Sequence, residues 1–335
     1  MTVPLSILDL APIAPGETAR ESFAASVALA QKAEANGYRR VWYAEHHNMP
    51  SIASSATAVL IAHVAAQTSS IRLGAGGVML PNHAPLTIAE QFGTLEALHP
   101  GRIDLGLGRA PGSDQATFRA LRRDPASSER FPDDVLELQG FLAGESRIPG
   151  VNATPGAGSR VPLYILGSSL FGARLAAAFG LPYAFASHFA PDALHDAVAT
   201  YRREFTPSAQ LEHPYVIAGV NAIAADDRED AEQQLVQVKR ARLMMLLRQS
   251  GRVSLERTFG DDELDYLLTT PAGAHVQSMT TYTGIGTGAD VSDYVEDFAR
   301  AAQVDEVIVA HASLATAARL RSVELLAQAH DRVAA

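Results

Sequence analysis

Eight short and nearly continuous apolar runs recur along this chain of 335 residues, and their spacing constrains its fold more than any other feature. Continuous apolar runs are typical of strands that are buried on both faces, as in a parallel sheet. The predicted strands are LSILDLAPI (5–13), VWYAE (41–45), IRLGAGGVML (71–80), IDLGLGR (103–109), PLYILG (162–167), PYAFAS (182–187), YVIAGVNAIAA (215–225) and DEVIVAH (305–311).

Helical segments, most of them rich in alanine, lie between these runs. The first covers 21–37, with Phe23, Val27 and Ala30 at helical spacing, and it stops at Gly37, a residue type that is favoured just after a helix end. The other predicted helices cover 54–69, 85–101, 169–180, 191–205, 229–247, 291–302 and 314–330.

The alternation of eight strands with helices predicts an α/β fold of the (β/α)8 TIM-barrel type, in one domain over residues 1–335. A doubly wound sheet has the same local alternation, and the count of eight favours the barrel. Residues 249–287 interrupt the rhythm between the seventh and eighth strand units. Because long loops on the C-terminal face of a barrel often cover the active site, we expect this insertion to act as a lid.

The composition restricts the chemistry. The chain has no Cys, which excludes disulfides, thiolate metal sites and a thiol nucleophile. Its formal net charge is -10, with acidic residues scattered along the chain, and this argues against a basic surface for nucleic acid. The N-terminal segment has no signal-peptide pattern and is too short to span a bilayer, so we expect a cytoplasmic protein that acts on small molecules.

Two adjacent histidines, His46 and His47, follow the second predicted strand in the sequence VWYAEHHN (41–48). In a barrel this is the C-terminal end of the strand, where barrel enzymes carry out catalysis. A catalytic base, a metal site and a pair that only satisfies loop backbone groups are all open interpretations. Adjacent residues of an extended segment point to opposite sides, and the other strand ends offer mostly Gly, Ala and Arg, so we expect no metal.

Three more strand ends carry residues that suit a ligand with a phosphate. Gly76 and Gly77 in the third strand permit close approach of the backbone. Arg109 ends the fourth strand and offers a fixed cation with a fork of donors. The Gly-Ser-Ser turn at 167–169 precedes a helix and offers N–H groups, hydroxyls and a helix N-terminus. Each feature alone also suits ordinary packing or capping, but together they indicate a phosphate site beside a backbone-lined slot.

Long stretches of the sequence resemble one family. The matching blocks are AEHHN (44–48), GAGGVMLPNHAPLTIAEQFGTLEALHPGRIDLGLGRAPG (74–112) and ILGSSLFGARLAAAFGLPYAFASHF (165–189). They resemble the bacterial luciferase-like flavin monooxygenases, and more narrowly their single-component subgroup. The resemblance extends from Leu5 to about Phe189, weakens through the insertion, and returns at VDEVIVAHAS (304–313).

The resemblance implies roles for residues at the barrel mouth. Reduced FMN, or the deazaflavin F420 in sister branches, would bind at the C-terminal face, with its phosphate on Arg109 and the 167–169 turn. A cis peptide that does not involve proline would lie at Gly76 and Gly77, under the flavin ring. His46 would be the catalytic base, while His47 would orient its neighbour or the loop. The implied cofactor-binding residues are Gly76, Gly77, Val78, Arg109, Gly167, Ser168 and Ser169.

The resemblance also implies a reaction. Reduced FMN supplied by a separate flavin reductase would react with O2 to give a C4a-hydroperoxide, which transfers oxygen to a small, apolar organic substrate while water is excluded. Members of the family pair through helices near the second and third strands, so a homodimer is expected through 54–69 and 85–100. The expected substrate pocket consists of Leu10, Met79, Leu80 and Phe189.

Two positions differ from the light-emitting members, which carry a cysteine where this chain has Gly108 and an acidic residue where it has Gly167. The first difference argues against light emission. Two other functions stay open. An F420-dependent oxidoreductase would transfer hydride on the same scaffold, although 160–174 offers only Arg160 and Arg174 to its acidic tail. A flavin-binding protein without catalysis is disfavoured by the presence of His46.

Overall fold

The computed structural model describes residues 2–14, 16–110, 115–250, 253–254 and 257–334, which form nine strands and twelve α-helices. The strands are β1 (Leu5–Asp9), β2 (Arg40–Tyr43), β3 (Arg72–Met79), β4 (Ile103–Gly108), β5 (Leu163–Gly167), β6 (Tyr183–Phe185), β7 (Val216–Ala224), β8 (Thr283–Gly286) and β9 (Glu306–His311). The helices are α1 (Ala19–Ala35), α2 (Thr57–Ala65), α3 (Pro85–Leu98), α4 (Gln115–Ala120), α5 (Phe131–Ala143), α6 (Leu170–Phe179), α7 (Leu194–Glu204), α8 (Arg228–Gln249), α9 (Asp261–Leu268), α10 (Pro271–Ser278), α11 (Gly288–Ala302) and α12 (Thr316–Ala334).

Eight of these strands close into a parallel barrel. Hydrogen bonds join them in the order β6, β5, β4, β3, β2, β1, β9 and β7, and β7 pairs with β6 to complete the circle. The pairs are parallel, with Ile7 opposite Val41 and Leu105 opposite Leu163 as two examples. The predicted (β/α)8 TIM barrel and all eight of its predicted strands are therefore confirmed, with β9 as the eighth.

The ninth strand, β8, was not predicted and comes from the inserted segment. It pairs with the C-terminal part of β7, where Asn221 stands opposite Thr283 and Ala224 opposite Gly286. Because β9 already occupies one edge of β7 as far as Ala222, β8 must lie on the other edge, beyond the end of the short strand β6. The insertion thus extends the barrel wall at its C-terminal rim.

Local sequence signals explain where the first elements begin and end. Thr18 and Glu21 form a capping box at the start of α1, and Gly37 follows its end with a φ of 75°, as the sequence indicated. β1 is shorter than predicted because the Asp9 carboxylate accepts the N–H of Ala11, whose φ of 46° ends the strand. The helix α5 after β4 was not among the predicted segments.

Apolar side chains from alternate strand positions fill the barrel interior, as expected when successive side chains point to opposite faces. The indole ring of Trp42 packs edge-on against the ring of Tyr164, with 4.9 Å between their centroids. The other members of this interior cluster are Leu8, Ala44, Ala184, Ile217 and Ile308. A larger core lies between the barrel and its helices.

A buried charged network fills the N-terminal end of the barrel. Nη1 of Arg40 donates to Oδ2 of Asp104 at 2.7 Å, and Nη2 donates to Oε2 of Glu306 at 3.2 Å. All three residues stand near the starts of their strands, and their side chains are at most 1% exposed. Since these ion pairs occupy the N-terminal end, a substrate site is expected at the C-terminal end.

The inserted segment packs on the second half of α8. Leu243 and Leu247 of α8 form a small apolar cluster with Leu264 of α9 and Val276 of α10. Arg240 of α8 pairs through Nη1 and Nη2 with Asp261 and Asp265 of α9 at 2.5 and 2.6 Å. Of the helices in the described ranges, none combines the length and apolar character needed to cross a membrane.

Candidate active site

The C-terminal ends of β2 to β5 lie side by side, and their register brings several predicted residues together. The N–H of Glu45, just after β2, donates to the carbonyl oxygen of Gly77 in β3 at 3.2 Å. Met79 then stands opposite Gly108 in β4, and Gly108 stands opposite Leu166 in β5. One continuous edge of the barrel mouth therefore carries, in order, His46, Gly77, Met79, Arg109 and Gly167.

A buried carboxylate, Glu45, organises the segment that contains the two histidines. Its Oε1 lies 2.7 Å from Nε2 of His47 and 2.9 Å from Nε2 of His83, and its Oε2 accepts the N–H of Met79 at 3.1 Å. Burial would raise the pKa of Glu45, but the hydrogen bonds outweigh it and hold that pKa at about 2. Because an ionised carboxylate only accepts, both imidazole rings donate to it.

The bond to Glu45 separates the roles of the adjacent histidines. It raises the pKa of His47 above the ordinary value. Burial instead lowers the pKa of His46 below 6.5, although a backbone hydrogen bond at Ala44 and the charge of Glu45 act against this. The buried Nδ1 of His46 has no hydrogen-bond partner among the described residues. His46 is therefore a neutral imidazole at pH 7 with a free ring nitrogen, which suits proton exchange with a ligand.

A third histidine, His188, lies close to His46 and was not predicted. Burial, followed by the charges of Arg242 and His46, lowers the pKa of His188 to about 3. Its Nδ1 is buried without a partner in the described part of the chain, and a Cβ on Gly219 of β7 would overlap this atom. The signal that could have revealed it is the single histidine in ASHF, directly before the predicted pocket residue Phe189.

The peptide bond between Gly76 and Gly77 is cis, at the position that the resemblance implied. A Cβ on Gly76 would lie 2.8 Å from Cβ of Trp42, and a Cβ on Gly77 would lie 2.7 Å from the carbonyl oxygen of Gly106. Contacts within the barrel therefore already require glycine at both positions, before any ligand is considered. The side chain of Val78 is buried in the main core, so only its backbone can contact a cofactor.

Arg109 and the 167–169 turn are neighbours at the ends of β4 and β5. The guanidinium group of Arg109 lies over the ring of Phe171, 4.0 Å from the centroid. Ser169 is the N-cap of α6, and its side chain makes no capping hydrogen bond. The nearest heavy atom to a Cβ on Gly167 would be 3.7 Å away, so the backbone of this turn is not tightly packed against other residues. A cation, free hydroxyls and a helix N-terminus form a donor set that fits phosphate.

The four predicted pocket residues do not share one environment. Leu10 packs on the interior cluster of the barrel, and Phe189 is 45% exposed with its ring edge-on to His188, 5.1 Å between centroids. Met79 is partly buried and would have to move if Gly108 carried a side chain, because a Cβ there would lie 2.8 Å from its Sδ. Leu80 is fully buried in the main core and is set apart from the other three.

Two further polar residues near the mouth were missed. Asn221, a single polar residue within the apolar run YVIAGVNAIAA, is fully buried in β7, and Arg242 of α8 donates from Nη2 to its Oδ1 at 2.6 Å. The lone asparagine in a buried strand was a usable signal, whereas nothing in the sequence around Arg242 distinguishes it from other helix arginines. Within the described ranges, no group of three or more His, Asp or Glu side chains could hold a metal ion.

Comparison with known proteins places this geometry in context. Residues 3–306 match the family described as luciferase-like monooxygenase. A luciferase-like monooxygenase of Escherichia coli strain K12 is 47% identical over 325 residues, which cover 97% of this chain and 96% of that protein. The N-acetyl-S-alkylcysteine monooxygenase of Bacillus subtilis strain 168 is 36% identical over 258 residues, which cover 75% of this chain and 76% of the relative.

Solved structures share the barrel. The crystal structure of apo-MsnO8 is 33% identical, covers 98% of each chain and superimposes with a TM-score of 0.83. The oxygenating constituent of 3,6-diketocamphane monooxygenase from Pseudomonas putida, in complex with FMN, has a TM-score of 0.69 at 17% identity and covers 98% and 97% of the two chains. The F420-dependent tetrahydromethanopterin reductase of Methanopyrus kandleri has a TM-score of 0.70 at 19% identity and covers 99% of both. At such identities the last two establish a common fold.

Proposed function

The chain belongs to the luciferase-like monooxygenase family and is an oxidoreductase, and from this premise we propose that it uses reduced FMN and O2 to oxygenate a small, largely apolar organic molecule. A separate flavin reductase in the cytoplasm supplies the reduced FMN. The observation that carries this proposal is the position of Arg109 beside the 167–169 turn, on the same edge of the barrel mouth as His46.

The residues at this edge fit a flavin. Arg109 pairs with no carboxylate among the described residues and stands beside the N-terminus of α6, which supports a phosphate there. The Gly76–Gly77 segment lies between Arg109 and the free nitrogen of His46. The backbone of this segment can therefore contact the ring system of the flavin. Bound at these residues, reduced flavin would supply the activation of O2 and the transfer of one oxygen atom to the substrate.

The side chains around the histidine pair prepare His46 for proton transfer. Glu45 binds His47 and His83 from two segments, so the loop after β2 is fixed to the end of β3. His46 remains neutral, and its Nδ1 makes no hydrogen bond to Glu45 or to any other described residue. It takes up a proton and returns it during the reaction, while His47 keeps the segment in place.

The segment 249–287, of which 251–252 and 255–256 lie outside the described residues, limits the access of water to the mouth. The segment is anchored by β8 to the C-terminal part of β7 and by α9 and α10 to α8. Its strand β8 pairs with β7 beyond the end of β6, the strand that Phe189 follows in the chain. Exclusion of water protects a reactive cofactor state from wasteful decay, which is the function we propose for this lid.

We propose that two copies of the chain pair through α2 and α3. These helices lie side by side on the outside of the barrel, and each presents a large apolar side chain to the surface. Val59 on α2 is 70% exposed and Leu98 at the end of α3 is 63% exposed. Burial of such residues is favourable, and a twofold interface would cover both patches at once.

Reconstitution tests the cofactor. The purified chain is titrated with FMN, photoreduced FMN and F420 under anaerobic conditions, and binding is followed by visible absorbance and fluorescence. We expect reduced FMN to bind and, on exposure to O2, to oxidise a thioether or another apolar substrate. The S-alkyl group of N-acetyl-S-alkylcysteines provides a first series, since a relative is named for these compounds.

The outcomes separate the three functions. Binding of F420 without FMN, and substrate reduction without O2 uptake, would favour the hydride-transferring alternative, for which neighbours of the same fold exist. Tight binding of oxidised FMN with no turnover of any substrate tested would favour a non-catalytic flavin protein. Oxygenated product in stoichiometric relation to reduced FMN supports the proposal.

A further inference from the structure

The inward face of β7 carries an amide near its C-terminal end. Side chains two residues apart on a strand point to the same side, and Ile217 belongs to the interior cluster of the barrel. Gly219 and Asn221 therefore also face the barrel axis, with Asn221 nearer the C-terminal mouth. Gly219 accommodates the ring of His188, and Asn221 donates from Nδ2 to the carbonyl oxygen of His188 at 2.7 Å. This amide thus belongs to the wall of the proposed active site.

Arg242 reaches this point from α8. Its Nη2 donates to Oδ1 of Asn221 at 2.6 Å, and its Nη1 donates to the carbonyl oxygen of Met279, after α10, at 2.8 Å. The two contacts hold the guanidinium group between the end of β7 and the inserted segment. Arg242 is also close enough to His188 for its charge to lower the pKa of that ring.

The guanidinium group of Arg242 has no carboxylate partner among the described residues, although it is partly buried. Burial lowers its pKa to about 10, so it still carries its charge at neutral pH. Arg240, two residues earlier on the same helix, pairs with both Asp261 and Asp265. A partly buried cation without an anion is costly, and a bound ligand with a negative charge would offset that cost.

We infer that Arg242 binds a carboxylate on the organic substrate, so that the substrate is an organic acid with an apolar part for oxygenation. A guanidinium group offers five N–H donors in a planar fork that matches a carboxylate. The contacts to Asn221 and Met279 use two of them and fix the orientation of the rest. This inference rests on the proposed function, and it separates two anion sites, Arg109 for the cofactor and Arg242 for the substrate.

The net charge of the whole chain is unfavourable for the approach of an organic acid. With a formal net charge of -10, the protein as a whole repels organic acids. A single cation at the mouth overcomes this repulsion locally, where burial strengthens its attraction for a carboxylate. The apolar part of the same molecule would extend towards Leu10 and Phe189, on the side of His46.

Binding of a matched pair of probes tests the inference. The probes are 4-phenylbutyrate and its neutral amide, and their dissociation constants are measured by isothermal titration calorimetry with the full chain. We expect the carboxylate to bind at least 10-fold more tightly than the amide in the unaltered protein. Arg242→Gln should remove this preference and leave amide binding nearly unchanged, and Arg242→Lys should retain part of it.

A control variant separates local recognition from general charge. Lys239→Gln removes one positive charge three residues earlier on α8 and should leave the preference intact. Equal affinity of the unaltered protein for the two probes would overturn the inference, even if Arg242→Gln does not fold. An equal loss of affinity for both probes in Arg242→Gln would also overturn it, because that result identifies Arg242 as a structural support for β7 and the insertion. FMN titration runs in parallel, so that loss of flavin binding reports on the proposed function separately.

Discussion

The ring of His47 is held by Glu45, with Nε2 of the histidine 2.7 Å from Oε1 of the carboxylate. The adjacent ring of His46 has a buried Nδ1 without a partner in the described structure. Two histidines that look equivalent in the sequence therefore differ in hydrogen bonding, in charge and in the direction of their pKa shifts. This difference makes them a matched pair for mutagenesis.

His46→Ala should slow oxygenation by about two to four orders of magnitude, the range for loss of a positioned acid or base. The affinity for reduced FMN should change little, because the phosphate end is expected at Arg109. Since the pKa of His46 lies below its ordinary value of 6.5, the rate of the unaltered enzyme should fall in acidic buffer, with a midpoint below pH 6.5. Stopped-flow absorbance of the flavin after mixing with O2, together with product formation, measures these rates.

His47→Ala provides the control at the adjacent position. It should lower stability through the loss of its bond to Glu45 and should affect the rate constant much less. Comparable rate losses in both variants, or a wild-type rate in His46→Ala, would contradict the assignment of His46 as the base.

Arg109→Ala should weaken the binding of reduced FMN by roughly 1.5 to 3 kcal/mol, the usual worth of a hydrogen bond to a charged group. Fluorescence titration with FMN gives the affinity, and riboflavin, which lacks the phosphate, should bind equally to both proteins. Arg174→Ala serves as the control, because this exposed arginine of α6 pairs with Glu204 at 3.7 Å. If Arg109→Ala weakens the binding of riboflavin as much as that of FMN, the phosphate is bound elsewhere.

Much of the barrel was predictable because its strands are buried on both faces and read as continuous apolar runs. The register between the strands could not be predicted from the sequence. This register places Met79 opposite Gly108 and Gly108 opposite Leu166. The insertion was recognised as an interruption, but its strand β8 was missed. The residues of β8, TGIG, are short and rich in glycine, and they pair only because the edge of β7 is free beyond β6.

The sequence indicated candidate site residues where residue types carry an obvious chemistry, as with His46, Arg109 and the 167–169 turn. The role of Glu45 could not be read from the chain because its partner His83 is 38 residues away. His188 and Arg242 depend on tertiary contacts in the same way, through Gly219 and Asn221. Leu80 looked like a pocket residue by its place after β3, but the chain turns there and buries it in the main core.

Val59→Glu combined with Leu98→Glu should convert a dimer to a monomer. The two positions are the large apolar groups exposed on α2 and α3, and charges in a shared interface would remain desolvated without partners. Size-exclusion chromatography with light scattering should give about twice the mass of 35.5 kDa for the unaltered chain and about that mass for the variant. Tyr266→Glu, at an equally exposed residue of α9, should leave the mass unchanged. A monomer in the unaltered protein at micromolar concentration would contradict the proposal.

Glu45→Gln should destabilise the protein in a pH-dependent manner. The folded protein holds the pKa of Glu45 at about 2, below its ordinary value of 4.5, so the carboxylate contributes stability that is complete above pH 4.5. The difference between these two pKa values corresponds to about 3 kcal/mol of stability. This stability is lost as the pH falls from 4.5 towards 2. His47 acts with the opposite sign. Its raised pKa gives a contribution that is complete below pH 6.5 and lost as the pH rises through the raised value.

Urea unfolding followed by circular dichroism at pH 7, 6, 5, 4 and 3.5 measures the effect. The gap in the free energy of unfolding between the two proteins should be widest near pH 5 to 6, where Glu45 is ionised and His47 is protonated. This gap should narrow in the most acidic buffers. There Glu45 is protonated in the unfolded chain but still ionised in the folded protein, so protonation favours the unfolded state. Glu232→Gln, at an exposed position of α8, should show no such trend. A gap that is constant across the series would mean that packing, rather than the charge of Glu45, holds the histidine segment against β3.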